Sequence, residues 1–169
     1  MQTYRTRTYI AGAWDEDFDA IQQLYKWKDS NYWSLDFIDA HEFKQARDDS
    51  NPCNIKKSLC DRMQHSKLFV LIVGPKTKSV RSGSCSYCEH YFNGRCYSGG
   101  SLSFSSYLDY ECEKAVRDNM DLIVLYNSIF TFESWCPDIL KNRGIHVPMK
   151  CLDGWNYTGV KKAFDLLNY

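Results

Sequence analysis

The stretch SSYLDYECEK, residues 105–114, places carboxylates beside aromatic rings. The carboxylates are Asp109, Glu111 and Glu113, and the aromatic rings are those of Tyr107 and Tyr110. A positioned carboxylate can transfer a proton or stabilise a developing positive charge, and an aromatic side chain can stack on a substrate ring. The same residues also suit a solvated helix surface near an N-terminus. Spacing alone favours the solvated surface.

A helical wheel of SYLDYECEKAVRDN predicts how these acids lie relative to a core. The predicted buried stripe consists of Leu108, Cys112, Ala115 and Val116. Glu111 and Asp109 flank this stripe on opposite sides, while Glu113 points further out. Tyr107 precedes Glu111 by one turn on the same side. Glu111 is therefore expected at the border between core and solvent, although periodicity does not prefer it over Asp109.

Composition indicates a globular protein without a general affinity for polyanions. The 169 residues are 44% apolar and 15% aromatic, and 21 basic residues balance 21 acidic ones. This balance gives no reason to expect nucleic acid or an anionic membrane as a partner. The N-terminal residues lack a signal-peptide pattern, and the longest apolar run, Leu68–Val73, is too short for a membrane span. We expect a cytoplasmic protein whose eight cysteines are mainly free thiols.

Apolar runs that read as strands alternate with segments of helical periodicity. Strands are predicted at residues 6–10, 35–40, 68–74, 120–126 and 144–149, and helices near residues 18–28, from 51–52 onward, near 106–119 and around 160–167. The pattern predicts an α/β sandwich with a parallel sheet of about five strands. Ligands of such sheets bind outside the carboxyl ends of the strands.

Several polar residues follow these strand ends. Trp14, Asp15 and Asp17 come after the first strand, where a helix start and a ligand contact are about equally expected. Asp39 and His41 end the second strand and are candidates for ligand binding. Arg47 suits a phosphate or an ordinary loop position. Segments 12–17, 39–47, the residues after 74 and 127–128 should together form the site.

The segment at about residues 76–106 is an insertion rich in Cys, Ser and Gly without periodicity. Cys85 and Cys88 form a Cys-x-x-Cys pair, and His90 and Cys96 follow. These ligand types suit a structural zinc site formed by Cys85, Cys88 and Cys96. A second Cys-x-x-Cys pair is missing, so free thiols in a loop are the alternative.

Taken together, four stretches resemble TIR domains, in particular the TIR-like ThsB proteins of Thoeris antiphage defence. They are LDFIDAHEFKQARDDS, SKLFVLIVGPKTKS, YLDYECEKAVRDNMDLIVLYN and CPDILKNRGIHVPM. The resemblance covers most of the chain apart from the insertion. It implies a flavodoxin-like, TIR-type three-layer sandwich and one TIR-like domain over residues 1–169.

The resemblance also implies a function and a site. Catalytic TIR domains cleave NAD with the glutamate of an aromatic-x-x-x-Glu motif, which matches Tyr107 and Glu111, with tyrosine where tryptophan is commoner. The implied substrate-binding residues are Gly12, Trp14, Asp15, Asp39, His41, Arg47 and Tyr107. NAD is the expected substrate, and an ADP-ribose-derived signal, cyclic or conjugated, would activate a separate effector during phage infection. The protein is also expected to assemble with copies of itself and to respond to a phage trigger.

Two other functions are compatible with this architecture. A non-catalytic TIR adaptor would act through assembly, although the presence of Glu111 argues against it. A phosphoacceptor receiver domain needs an aspartate at the end of the third strand. That strand ends in Gly74-Pro75, which argues strongly against a receiver.

Overall fold

A computed structural model of the protein describes residues 7–33, 35–38 and 51–167. The strands are β1 (Arg7–Ala11), β2 (Ser66–Val73), β3 (Tyr91–Phe92), β4 (Arg95–Cys96), β5 (Asp121–Tyr126), β6 (Ile145–Pro148), β7 (Lys150–Cys151) and β8 (Gly154–Trp155). The α-helices are α1 (Phe18–Asp29), α2 (Pro52–Gln64), α3 (Tyr107–Arg117) and α4 (Tyr157–Leu166). Short 3-10 turns lie at Thr77–Ser79, Cys85–Tyr87, Glu133–Trp135 and Asp138–Leu140. The predicted alternation of strands and helices is confirmed.

The central sheet is parallel, with strand order β1-β2-β5-β6. The expected count of about five strands is not reached within the described residues, where this sheet has four. Residues 35–38 of the predicted second strand run beside β1, and the Thr8 amide donates a hydrogen bond of 2.7 Å to the Ile38 carbonyl. One such bond does not make a strand ladder. Residues 39 and 40 lie outside the described part of the chain.

Alternating side chains of the strands build one core on each face of the sheet. On β2, Phe69, Leu71 and Val73 face α2 and α3, whereas Leu68, Val70 and Ile72 face α1 and α4. Strands buried on both faces read as continuous apolar runs, which is why β2 and β5 were predictable from sequence. The result is a three-layer α/β sandwich.

The insertion between β2 and α3 contains more regular structure than its composition predicts. The hairpin of β3 and β4 turns at Asn93 and Gly94, both with positive φ. Lys56, buried on α2, donates hydrogen bonds to the Ser103 hydroxyl at 2.8 Å and to the Ser105 carbonyl at 2.7 Å. The insertion is therefore fastened to α2. Of the helices that the structure describes, none has the length and apolar character needed to cross a membrane.

Gly144 and Gly94 form a matched pair for testing how closely β6 approaches β5. Both have φ +75°, but a Cβ at Gly144 would lie 2.3 Å from the Leu122 carbonyl oxygen, whereas one at Gly94 meets nothing within 4 Å. Gly94→Ala should lose about 1–2 kcal/mol of unfolding free energy through backbone strain alone. Gly144→Ala should lose about 1–3 kcal/mol more through the clash. Urea unfolding measures both, and equal losses would contradict the close strand approach.

Candidate functional site

A cleft of about 710 Å³ opens at the carboxyl end of β1, on the face of the sheet covered by α2 and α3. The loop after β1 forms one wall, α2 and α3 form two others, and the start of the insertion closes the rim. The lining residues are Gly12, Ala13, Trp14, Asp15, Glu16, Ile55, Leu59, Arg62, Val80, Ser82, Tyr107, Leu108 and Glu111. This volume falls in the range of small-molecule and cofactor sites.

Glu111 is the acid of α3 that faces this cleft. Its side chain lies at the inner wall and the residue is only 8% exposed. The hydroxyl of Tyr9, a fully buried residue of β1, donates a hydrogen bond to Glu111 Oε1. A hydrogen bond to a carboxylate fixes its orientation and offsets part of the free energy of burying it. The carboxylate is therefore held in one position before any ligand arrives.

The other two acids of α3, Asp109 and Glu113, contact serines at the start of the helix. Ser106 is the N-cap of α3; its hydroxyl accepts a hydrogen bond from the Asp109 amide at 3.0 Å and donates one to Asp109 Oδ2 at 2.8 Å. Ser106 therefore caps α3, and its hydroxyl also binds the carboxylate of Asp109. Glu113 is exposed and accepts a hydrogen bond from the Ser105 hydroxyl at 3.3 Å. Geometry thus separates Glu111 from Asp109, which periodicity could not do.

Tyr107 is positioned by the first residues of the insertion. Its amide donates to the Ser82 carbonyl at 2.8 Å, and its ring packs against Gly83, where a Cβ would lie 2.5 Å from the ring. Gly83 also has φ +92°, so this close approach requires glycine. Burial raises the pKa of Tyr107, and nearby Cys88 and Cys53 raise it further. The tyrosine therefore stays a neutral aromatic wall of the cleft.

The loop that carries Trp14 and Asp15 is anchored by Asp17. Asp17 is 1% exposed and packs on Gly74, where a Cβ would lie 2.1 Å from Asp17 Oδ1. The Asn127 side-chain amide donates to Asp17 Oδ1 at 3.0 Å and to Asp19 Oδ1 at 2.9 Å. These contacts hold the β1–α1 loop against the ends of β2 and β5.

This anchor also bears on the receiver-domain alternative. Lys150 pairs with Asp19 at 3.1 Å, so acids and a lysine do meet at the carboxyl edge of the sheet. Gly74 follows the end of β2, however, and Asp17 occupies the space that a side chain there would need. This position therefore has no side chain to accept a phosphoryl group, as the sequence argument against a receiver assumed.

The structure brings together five of the predicted site residues: Gly12, Trp14, Asp15, Tyr107 and Glu111. The predicted binding residues Asp39, His41 and Arg47 lie outside the described residues. Sequence reasoning missed Arg62, although it lies seven residues after Ile55 on α2 and helical spacing puts both on one face. Tyr9 was also missed, because its partner is 102 residues away in sequence.

The predicted zinc ligands do not form a cluster. Within residues 7–33, 35–38 and 51–167, no three His, Cys, Asp or Glu side chains are arranged to hold a metal ion. Cys85 is buried and its sulfur accepts a hydrogen bond from the Ser103 amide at 3.2 Å. The sulfur of Cys96 lies 3.0 Å from the Ser98 hydroxyl. Cys85, Cys88 and Cys96 form no disulfide, and the zinc site stays a prediction.

The two acids of the loop anchor should respond oppositely to neutralisation. Burial raises the pKa of Asp17 above 3.8, so its contribution to stability is full below that pH and is lost as pH rises through the folded-state pKa. Burial also opposes ionisation of Asp19, but hydrogen bonds from Lys150 and Asn127 outweigh it and lower the pKa. The stability from Asp19 is present above pH 3.8 and is lost as pH falls through the lowered value.

At pH 7, Asp17→Asn should therefore increase the unfolding free energy, with the gain disappearing below about pH 4. Asp19→Asn should decrease it by less than about 1 kcal/mol, because Asp19 is half-exposed and screened. Urea unfolding between pH 3 and 7 measures both. A loss of stability in Asp17→Asn at pH 7 would contradict the assigned effect of burial.

A comparison with known protein families matches a segment that contributes much of the cleft lining. Residues 9–82, just under half of the chain, match the family described as Thoeris protein ThsB, TIR-like domain. The matched segment includes the loop after β1, all of α2 and the end of the cleft rim at Ser82; Tyr107 and Glu111 follow it in sequence. No curated protein matches the chain. The match over residues 9–82 and the three-layer α/β fold together support a ThsB-type TIR-like protein.

Proposed function

We propose that this protein cleaves the nicotinamide–ribose bond of NAD in the cytoplasm and makes an ADP-ribose-derived signal that activates a partner effector in antiphage defence. The observation that carries the proposal is the buried Glu111 carboxylate, oriented by Tyr9 at the wall of a cleft of about 710 Å³. The match of residues 9–82 to the ThsB TIR-like family supports the role in defence.

The chemistry needs a fixed negative charge beside the ribose. Breaking the bond between ribose C1′ and the nicotinamide nitrogen releases neutral nicotinamide and leaves positive charge on the ribose ring. A preorganised carboxylate stabilises that charge without reorganisation, and more strongly in a partly dry site than in water. Glu111 meets this need, because it is nearly buried yet lines the cleft.

The remaining lining residues suit the rest of a dinucleotide. Trp14 is 44% exposed on one wall and Tyr107 lies on another, so aromatic surfaces are available for stacking on nicotinamide or adenine. Arg62 places a guanidinium in the same cleft, which suits the pyrophosphate oxygens. The lining acids Asp15 and Glu16 are candidates for accepting hydrogen bonds from ribose hydroxyls.

Glu111→Gln tests the catalytic assignment, with Glu113→Gln as its matched control on the same helix. Gln keeps the shape of the side chain but removes the charge, so NAD cleavage should fall by about 10²- to 10³-fold or more. Glu113 is exposed and makes only a weak contact with Ser105, so its variant should behave as wild type. Mass spectrometry of NAD, nicotinamide and ADP-ribose species in phage-infected cells measures the effect.

The same experiment separates the enzyme from an adaptor. If NAD is unchanged after infection with several phages, and Glu111→Gln protects cells as well as wild type, the protein acts without catalysis. If a new species appears and vanishes only in Glu111→Gln, its mass distinguishes hydrolysed, cyclised and conjugated ADP-ribose.

Arg62→Gln tests the orientation of the substrate, with Lys57→Gln as a control, because Lys57 is an exposed cation of α2. Loss of charge-assisted hydrogen bonds to pyrophosphate should raise KM for NAD by about 10- to 100-fold with a smaller change in kcat. Nicotinamide riboside lacks the pyrophosphate, so the variant should cleave it as wild type does. An equal loss for both substrates would contradict a pyrophosphate contact.

A further inference from the structure

The insertion brings two thiols together that are 43 residues apart in sequence. Cys96 ends β4, and Cys53 is the second residue of α2. The Ser98 hydroxyl lies 3.0 Å from the Cys96 sulfur and 4.0 Å from the Cys53 sulfur. A Cβ placed on Gly100 would lie 2.7 Å from the Cys53 sulfur and 3.8 Å from the Cys96 sulfur. Both sulfurs therefore border the same small volume around residues 98–100.

The surroundings of Cys96 favour its thiolate. The Ser98 hydroxyl, together with backbone amides of Ser98, Gly100 and Gly99, lowers the pKa of Cys96. Gly99 has φ +79°, a conformation that glycine adopts without strain and that shapes this turn. Cys96 is also partly exposed. A partly exposed cysteine with a stabilised thiolate is the kind that reacts with oxidants.

Two of the other cysteines have surroundings that disfavour the thiolate. Cys112 and Cys136 are buried, and loss of solvation raises the pKa of each. Cys151 is exposed on β7 and provides a thiol outside the insertion. The contrast singles out Cys96 as the attacking or attacked sulfur and Cys53 as its neighbour.

We propose that Cys53 and Cys96 form an oxidisable pair that links the insertion to α2 under peroxide. The Cys96 thiolate attacks one oxygen of hydrogen peroxide and, with one proton, gives a sulfenic acid and water. The Cys53 thiol then attacks the sulfenic sulfur, releasing a second water and forming the disulfide. Two thiols are oxidised and one peroxide is reduced to two waters. Bonding requires both side chains to rotate toward each other.

The Cys53–Cys96 pair lies near the cleft, so a disulfide there would affect a helix that forms a cleft wall. Cys53 precedes the cleft residue Ile55 on α2, and it is close enough to Tyr107 to affect the pKa of that tyrosine. Lys56 already ties the other end of the insertion to the same helix. A disulfide would add a second, covalent tie between the insertion and the helix that forms a cleft wall. Oxidation of this pair requires only the two thiols and peroxide, and it does not require NAD cleavage.

The test uses the purified full chain treated with one equivalent of hydrogen peroxide. Remaining thiols are then blocked with N-ethylmaleimide, and the protein is digested and analysed by mass spectrometry. We expect the loss of two blockable thiols per chain and a linked peptide pair containing Cys53 and Cys96, both reversed by dithiothreitol. Because wild-type protein alone gives this result, the test does not depend on how a variant folds.

Variants then assign the order of reaction. Cys53→Ser should leave the sulfenic acid on Cys96, where dimedone traps it, whereas Cys96→Ser should abolish both products. Cys151→Ser should keep the linked peptide. Ser98→Ala should slow the reaction, because it removes a hydroxyl that stabilises the thiolate. Retention of both thiols in folded wild type would overturn the proposal. A predominant link from Cys96 to Cys88, or lasting sulfenic acid on wild-type Cys96, would do so as well.

Discussion

The hydrogen bond from the Tyr9 hydroxyl to the Glu111 carboxylate joins the first strand to the helix that forms the cleft wall. Both groups are buried, so the carboxylate depends on this donor for part of the solvation it loses. This hydrogen bond sets the position of Glu111 at the cleft wall. The strand fixes the depth at which the acid sits, and the Ser106 N-cap marks where the helix begins.

The site is assembled from segments with different constraints. The loop after β1 is held by Asp17 against Gly74 and by Asn127, all at the carboxyl edge of the sheet. The α2 wall belongs to the segment that matches the ThsB family, whereas Tyr107 and Glu111 follow that segment. The insertion lies between them in sequence, and Ser82 and Gly83 contact Tyr107 directly. Matched and unmatched parts of the chain therefore meet in one cleft.

The sequence predicts the framework well, because its signals are local. The apolar runs of β2 and β5 and the Asn51-Pro52 start of α2 are visible without a structure. Gly12, Trp14 and Asp15 line one cleft with Glu111, and the rule that strand ends of a parallel sheet share an edge points to the first three. Arg62 could have been found by helical spacing from Ile55.

What the sequence could not supply are contacts between distant residues. The choice between Asp109 and Glu111 depends on Tyr9 and Ser106, which no periodic pattern relates to each other. The Cys-x-x-Cys spacing suggested a metal site, but the fold places Cys96 beside Cys53 of α2 instead. The fifth strand is not confirmed within the described residues for a similar reason. An extended segment becomes a strand only when its neighbour supplies a full ladder, and residues 35–38 make one such bond to β1.

The fixed position of Glu111 has a consequence for how activity can be controlled. An acid that a strand of the sheet already orients needs no conformational change to become aligned. For the catalysis proposed above, control would then act on admission to the cleft, through the rim formed by the insertion and the loop after β1. Substitutions in this rim should therefore alter regulation of the proposed activity more than they alter the alignment of the acid.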